Sequence, residues 1–158
     1  MDADRIVAQA QAAAAASAAP VPRGIRNNNP GNLEGATIPW KGQIGVDGAY
    51  CVFDTPEHGL RALAVNLLAY QKLHGLNTVR LIVTRFAPPS ENDTAAYIAD
   101  VAAQMMVDPN ATLDLTEPPT LDSLVCAITR HENGGNPYQP RQIVVAVDDA
   151  LGIEDLSV

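Results

Sequence analysis

The sequence predicts a mainly α chain, an α+β fold in which the β part is one minor element. Three observations carry this. Apolar residues recur at helical spacing in successive segments after Thr55. Proline, glycine, threonine and asparagine punctuate those segments where helices start and stop. Only one short run, residues 49–53, has the composition of a strand. At 158 residues the chain holds one domain with one real core.

Residues 1–19 are alanine-rich, and alanine is the best helix former. They predict an extra N-terminal helix with few large side chains to bury, suited to docking on a partner. Pro20 and Pro22 end it, so residues 20–22 form a linker and 23–158 the domain. Residues 23–48 are irregular, rich in glycine and interrupted by Pro30 and Pro39. Residues 49–53 are the strand.

Thr55, Pro56 and Glu57 start a helix as N-cap, first position and first turn. Leu60, Leu63, Leu67 and Tyr70, with Ala64 and Leu68 beside them, give it an apolar face, and Gly75 ends it. Thr78 opens a second helix with Val79, Ile82, Val83 and Phe86 inward, stopped by Pro88-Pro89. Ser90-Glu91-Asn92-Asp93-Thr94 is a capping region for a third. Its Tyr97, Ile98, Val101 and Met105 share a face, and it runs to Asp108-Pro109-Asn110. Thr120 caps a fourth, with Leu121, Leu124, Val125 and Ile128 inward, which ends at Asn133 before Gly134-Gly135. Pro140 begins a last helix bearing Ile143, Val144, Val147 and Leu151.

Composition excludes several functions. The net charge of −8 and the 4% aromatic content argue against nucleic acid and against an anionic membrane surface. No apolar run is long enough to cross a membrane. The acidic start Met-Asp-Ala-Asp-Arg is unlike a signal peptide. Arg23, Arg26 and Lys41, with only Glu34 between them, make the opening stretch locally basic. Cys51 and Cys126 leave two readings open, a disulfide or, the commoner case, two buried free thiols. The three histidines are scattered, and no metal or cofactor motif appears.

The least ordinary stretch is Arg23-Gly24-Ile25-Arg26-Asn27-Asn28-Asn29-Pro30-Gly31-Asn32-Leu33. Asparagine side chains compete with the backbone for hydrogen bonds and favour turns. Two readings stand: a turn-rich scaffold, or a row of amides and guanidiniums lining a groove for a sugar. Trp40, the single tryptophan, either anchors this loop to the core or stacks on a ligand.

No nucleophile or phosphate-cradling motif is present, which leaves carboxylates. Glu132 stands at the C-terminal end of an apolar-faced helix, where the macrodipole opposes its ionisation. Such a group suits a general acid that protonates a glycosidic oxygen. The plain alternative is a solvated glutamate at a helix end. Glu91 and Asp93 read as capping acids, Glu57 as a first-turn acid and Asp54 as a strand-to-helix junction. Tyr97 is either a core aromatic or a site hydroxyl.

Several of these residues together resemble a family of small phage and prophage virion-associated proteins. They are residues 23–32, Trp40-Lys41-Gly42, Phe53, Gly59-Leu60-Arg61-Ala62, Tyr70, Ala87-Pro88-Pro89, Glu91-Asn92-Asp93-Thr94, Tyr97 and His131-Glu132-Asn133-Gly134. The resemblance covers about residues 23–140, and its opening motif is the specific part. A second likeness concerns residues 124–137, which resemble the catalytic helix of lysozyme-like lytic transglycosylases, where a glutamate ends an apolar helix. Asn28-Asn29-Pro30-Gly31-Asn32, Phe53-Asp54-Thr55 and Ala95-Ala96-Tyr97-Ile98-Ala99 resemble blocks of bacterial glucosaminidase modules. There those blocks follow the catalytic helix; here they precede it. The likeness therefore implies a circularly permuted lysozyme-like fold. Asn133 departs from the pattern, standing where those enzymes carry serine.

The resemblance implies a virion-associated enzyme that degrades peptidoglycan, of lytic transglycosylase or muramidase type. Glu132 would be the acid, with Glu91 the second choice. A transglycosylase needs one carboxylate acting as acid and then base. A hydrolase needs a second, from Asp54 or Glu91. Asn27, Asn28, Asn29, Asn32, Trp40, Tyr97 and Asn133 would hold the sugar. The implied partners are glycan strands and, through residues 1–19, other virion proteins, with no nucleic acid and no membrane. A particle assembled in the host cytoplasm would carry the protein to the wall without a signal peptide. The rival expectation is a non-catalytic virion component, in the tail, baseplate or interior, that uses the same fold for assembly or glycan binding.

Overall fold

The computed structural model describes residues 20–35 and 37–153. The anticipated docking helix at 1–19 lies outside them. The element order is α1 (Arg23–Arg26), β1 (Gln43–Asp47), β2 (Tyr50–Phe53), α2 (Pro56–His74), α3 (Val79–Phe86), α4 (Thr94–Met105), α5 (Pro118–Asn133) and α6 (Pro140–Leu151). The described chain is mainly helical, with a single two-stranded antiparallel sheet.

Local chemistry sets most helix ends. Thr55 accepts from the His58 amide at 3.2 Å and Pro56 takes the first turn of α2, with Gly75 closing it. Thr78 accepts from the Leu81 amide at 3.1 Å and caps α3. Within the capping region before α4, Asp93 is the residue that caps, accepting from the Ala96 amide at 3.2 Å. Gly134 ends α5 at φ 68°, a left-handed conformation that costs glycine nothing.

Four expectations need correcting. Residues 23–48 are not wholly irregular, because they hold α1 and β1. Thr120 does not cap α5, which begins two residues earlier at Pro118. A proline there has its φ preset and no N–H to satisfy, so the helix starts without a side-chain cap. Helix α4 stops at Met105, not Asp108, because Met106 turns left-handed at φ 56°. Val144 does not face inward but is 42% exposed. The buried stripe of α6 is Ile143, Ala146 and Val147, spaced i, i+3, i+4.

Helix α2 is the spine. Leu60, Leu63 and Leu67 are fully buried on it, and it packs most extensively against α6. Helix α5 packs against α4 and α6, contributing Leu121, Leu124, Val125 and Ile128 to the same core. Each such side chain is worth roughly 1.5–3 kcal/mol when taken from water. The hairpin turns at Gly48, with Asp47 opposite Tyr50. The far edge of β2 is covered by the segment 33–35: the Cys51 amide donates to the Leu33 carbonyl, and the Gly35 amide to the Ala49 carbonyl. This ties the front loop to the sheet and, through it, to the core.

Candidate active site

The asparagine loop is held from within. Asn29 is fully buried, with Nδ2 donating to the carbonyls of Leu33 (2.9 Å) and Cys51 (3.0 Å) while Oδ1 accepts from the Leu33 amide (2.9 Å). Asn27 is 6% exposed and donates to Asp47 Oδ2 at 3.1 Å. That amide, followed by Arg26, holds the Asp47 carboxyl below its usual range. Asn28 donates to the Phe53 carbonyl at 3.1 Å. These three were expected to hold sugar. Their amides instead satisfy backbone and side-chain groups that an irregular segment cannot pair by itself. Asn29 has no surface to offer a ligand, and Asn27 little.

Two glycines let this loop sit close to the helices. A side chain at Gly59 of α2 would strike the Asn28 carbonyl, and one at Gly24 would strike Asn133. Asn133 itself donates from Nδ2 to the Pro30 carbonyl at 2.8 Å and the Thr129 carbonyl at 2.9 Å. It lines neither of the clefts described below. It fastens α5 to the loop.

The fastening delivers Asn32 to Glu132. Asn32, left-handed at φ 48°, donates from Nδ2 to Glu132 Oε2 at 3.0 Å. The Tyr97 hydroxyl of α4 donates to Glu132 Oε1 at 3.0 Å. One donor therefore stands on each carboxylate oxygen. Tyr97 is 2% exposed and stacks on His131 with ring centroids 3.6 Å apart. Burial, then the Glu132 charge and its hydrogen bond, push the phenol well above its usual range, so it stays a donor. His131 Nδ1 lies 2.6 Å from Asp100 Oδ2. That bond holds the Asp100 carboxyl below its usual range. An ionised carboxylate only accepts, so the imidazole proton sits on Nδ1.

Glu132 lies where two clefts meet. The larger, about 590 Å³, has Asn32, Trp40, Tyr50, Tyr70, Phe86 and Glu91 on its walls. The smaller, about 240 Å³, has Asn92, Asp93, Tyr97 and His131. Asn92 and Glu132 border both. Glu91 is exposed on the same wall system as Glu132, whereas Asp54 borders neither cleft and pairs with His58 Nδ1 at 2.6 Å. Asp54 is thereby removed as the second carboxylate. Trp40 is half-buried against the core and borders the larger cleft. Cys51 and Cys126 are unpaired. No cluster of three or more His, Cys, Asp or Glu among the described residues is placed to hold a metal ion. No helix among them is long and apolar enough to cross a membrane.

Sequence reasoning missed Tyr50, Tyr70 and Asn66 on the larger cleft. Tyr50 had a signal, since it alternates with the buried Cys51 and Phe53 along β2. Tyr70 had none, because its spacing on α2 matches the core face. The arrangement gives a carboxylate oriented by two donors at the border of two clefts, the larger of which has aromatic walls.

No family model matches the chain. It is similar to Protein P5 of Pseudoalteromonas phage PM2, with 39% identity over 121 residues that span 73% of this chain and 74% of that one.

Proposed function

The chain belongs to the family of Protein P5 of Pseudoalteromonas phage PM2, and from that phage relationship we propose a virion-associated glycosidase that degrades host peptidoglycan during entry. The reading rests on one observation: Glu132, bonded by Asn32 and Tyr97, borders both clefts. A carboxyl group there reaches a glycosidic oxygen whose two sugars lie one in each cleft. In this proposal the fold is lysozyme-like, with the glutamate helix placed last in the chain by circular permutation.

The proposed chemistry begins with Glu132 giving its proton to the oxygen between N-acetylmuramic acid and N-acetylglucosamine. In the transglycosylase route the muramoyl 6-hydroxyl then attacks the anomeric carbon and returns its proton to Glu132. Hydrolysis would need a second carboxylate, and Glu91 is the one that shares the larger cleft. Asn32 and Tyr97 act on Glu132 rather than on sugar. Trp40 offers a ring face for the C–H face of the glycan.

A specific observation favours a second reading, a non-catalytic virion component. Both oxygens of Glu132 already hold framework donors, and one of those bonds ties the front loop to α5. A purely structural tie would look the same. Peptidoglycan zymography separates the two, with Glu132→Gln and Glu91→Gln beside the native chain. The enzyme reading expects clearing by the native chain and none by Glu132→Gln. Absence of clearing by the native chain would leave the structural reading in possession.

A further inference from the structure

We propose that Arg23 is a specificity-determining residue that receives a carboxylate carried by the muramoyl side of the glycan. This rests on the glycan-cleaving reading and adds a direction to it: the acidic sugar lies in the larger cleft, the neutral sugar in the smaller.

Arg23 borders the larger cleft and is the only cation among the described residues that do. Its guanidinium carbon lies 3.7 Å from the centroid of the Tyr50 ring. Tyr50 is itself fixed, opposite Asp47 in the hairpin and bridged to Glu34 on its other side. A guanidinium held over a ring face makes no hydrogen bond to it, so its N–H groups stay available as the fork that matches a carboxylate. The neighbouring cations are committed elsewhere: Arg26 pairs with Asp47 at 3.0 Å, and Arg61 and Lys41 with Asp149 at 3.0 and 3.5 Å. Arg23 has no carboxylate within ion-pair distance among the described residues, although Glu34 and Glu91 border the same cleft. Those acids repel an anion along the rest of the wall, so they confine it to Arg23. In the smaller cleft the basic group is His131, already bonded to Asp100, and Asp93 stands with it. A carboxylate is unwelcome there.

Muramoyl sugars differ from their neighbours by a lactyl ether that ends in a carboxyl. That carboxyl is free in the bare sugar and amide-linked where a stem peptide is attached, in which case the peptide supplies the carboxylates. Either source offers the same chemistry to the Arg23 fork.

The test is calorimetric titration on the Glu132→Gln chain, so that no bond is cleaved during the measurement. Four ligands are compared: an alternating N-acetylglucosamine–N-acetylmuramic acid tetrasaccharide, the same with an alanyl-glutamate stem, the same with its lactyl groups capped as methylamides, and neutral N-acetylglucosamine tetramer. At least one of the two acidic ligands is expected to bind about tenfold more tightly than the methylamide, the scale of a charge-assisted hydrogen bond. Whichever acidic ligand shows the preference identifies the carboxylate source. Adding Arg23→Gln should abolish the preference while the neutral tetramer binds as before. Equal binding of acidic and capped ligands would overturn the inference and leave the glycan reading intact. A preference that survives Arg23→Gln would overturn the role of Arg23. No binding of any ligand would remove the glycan reading and this inference with it.

Discussion

Asn32 and Glu132 stand 100 residues apart in the chain and 3.0 Å apart in the fold, the amide Nδ2 donating to Oε2. The loop that carries Asn32 and the helix that ends in Glu132 are fastened twice more, through Asn133 to the Pro30 carbonyl and through the close approach at Gly24. The front loop thus positions the carboxylate.

Stability measurements separate a scaffold role from a sugar-binding role at Asn29. Asn29→Ala strands the Leu33 amide and leaves the Leu33 carbonyl and the Cys51 side of the loop without their side-chain donor. Urea unfolding should show a loss of roughly 2–5 kcal/mol, since each buried group left unpaired costs about 1–3 kcal/mol. A variant as stable as the native chain but weaker in glycan binding would return Asn29 to the ligand set.

Tyr97→Phe removes one donor from Glu132 and nothing from the core. Its unfolding free energy should change by about 1 kcal/mol. Under the proposed reaction, kcat should fall by about 10²-fold with KM little altered, because orientation of the acid is lost rather than binding. The alkaline limb gives a second signature. The phenol is held above its usual 10 in the folded chain. Its contribution is therefore present below about pH 10 and fades as pH rises beyond, because the unfolded chain ionises first. Native stability should decline above that pH more steeply than that of Tyr97→Phe.

Asp100 gives the opposite limb. His131 holds its carboxyl below the usual 3.8, so the associated stability is present above that value and lost as pH falls through the lower, folded value. Asp100→Asn lacks this titration. Melting temperatures recorded from about pH 5 toward pH 2 should converge for the two chains as the native aspartate is protonated. A gap that widened with acidification would contradict the pairing.

Much of the helical frame was legible because its signals are local. Thr55, Thr78 and the glycines at 75 and 134 mark helix ends by chemistry that needs no tertiary partner. Strand β1 was not legible. Ile44 and Val46 are 69% and 60% exposed, so its pattern shows no buried face, and a bulge shifts its register between Gln43 and Gly45. Val144 misled because adjacent valines on α6 cannot both face the core, and periodicity alone did not choose Ala146 over them. In the site, the position of Glu132 at a helix end before Gly134 was legible, though spacing alone favoured a solvated glutamate there. The use made of each asparagine was not, because it depends on partners such as Phe53, Cys51 and Asp47 some 20 to 25 residues away.

The central claim is that Glu132 cleaves glycan as an acid held by Asn32 and Tyr97. The most direct measurement is the release of soluble disaccharide-peptides from purified sacculi, followed in time by mass spectrometry for the native chain and for Glu132→Gln. The account predicts steady release by the native chain and a fall of at least about 10²-fold in Glu132→Gln, the scale for loss of a general acid, with the variant still folded by circular dichroism. Equal release from a folded Glu132→Gln would contradict it.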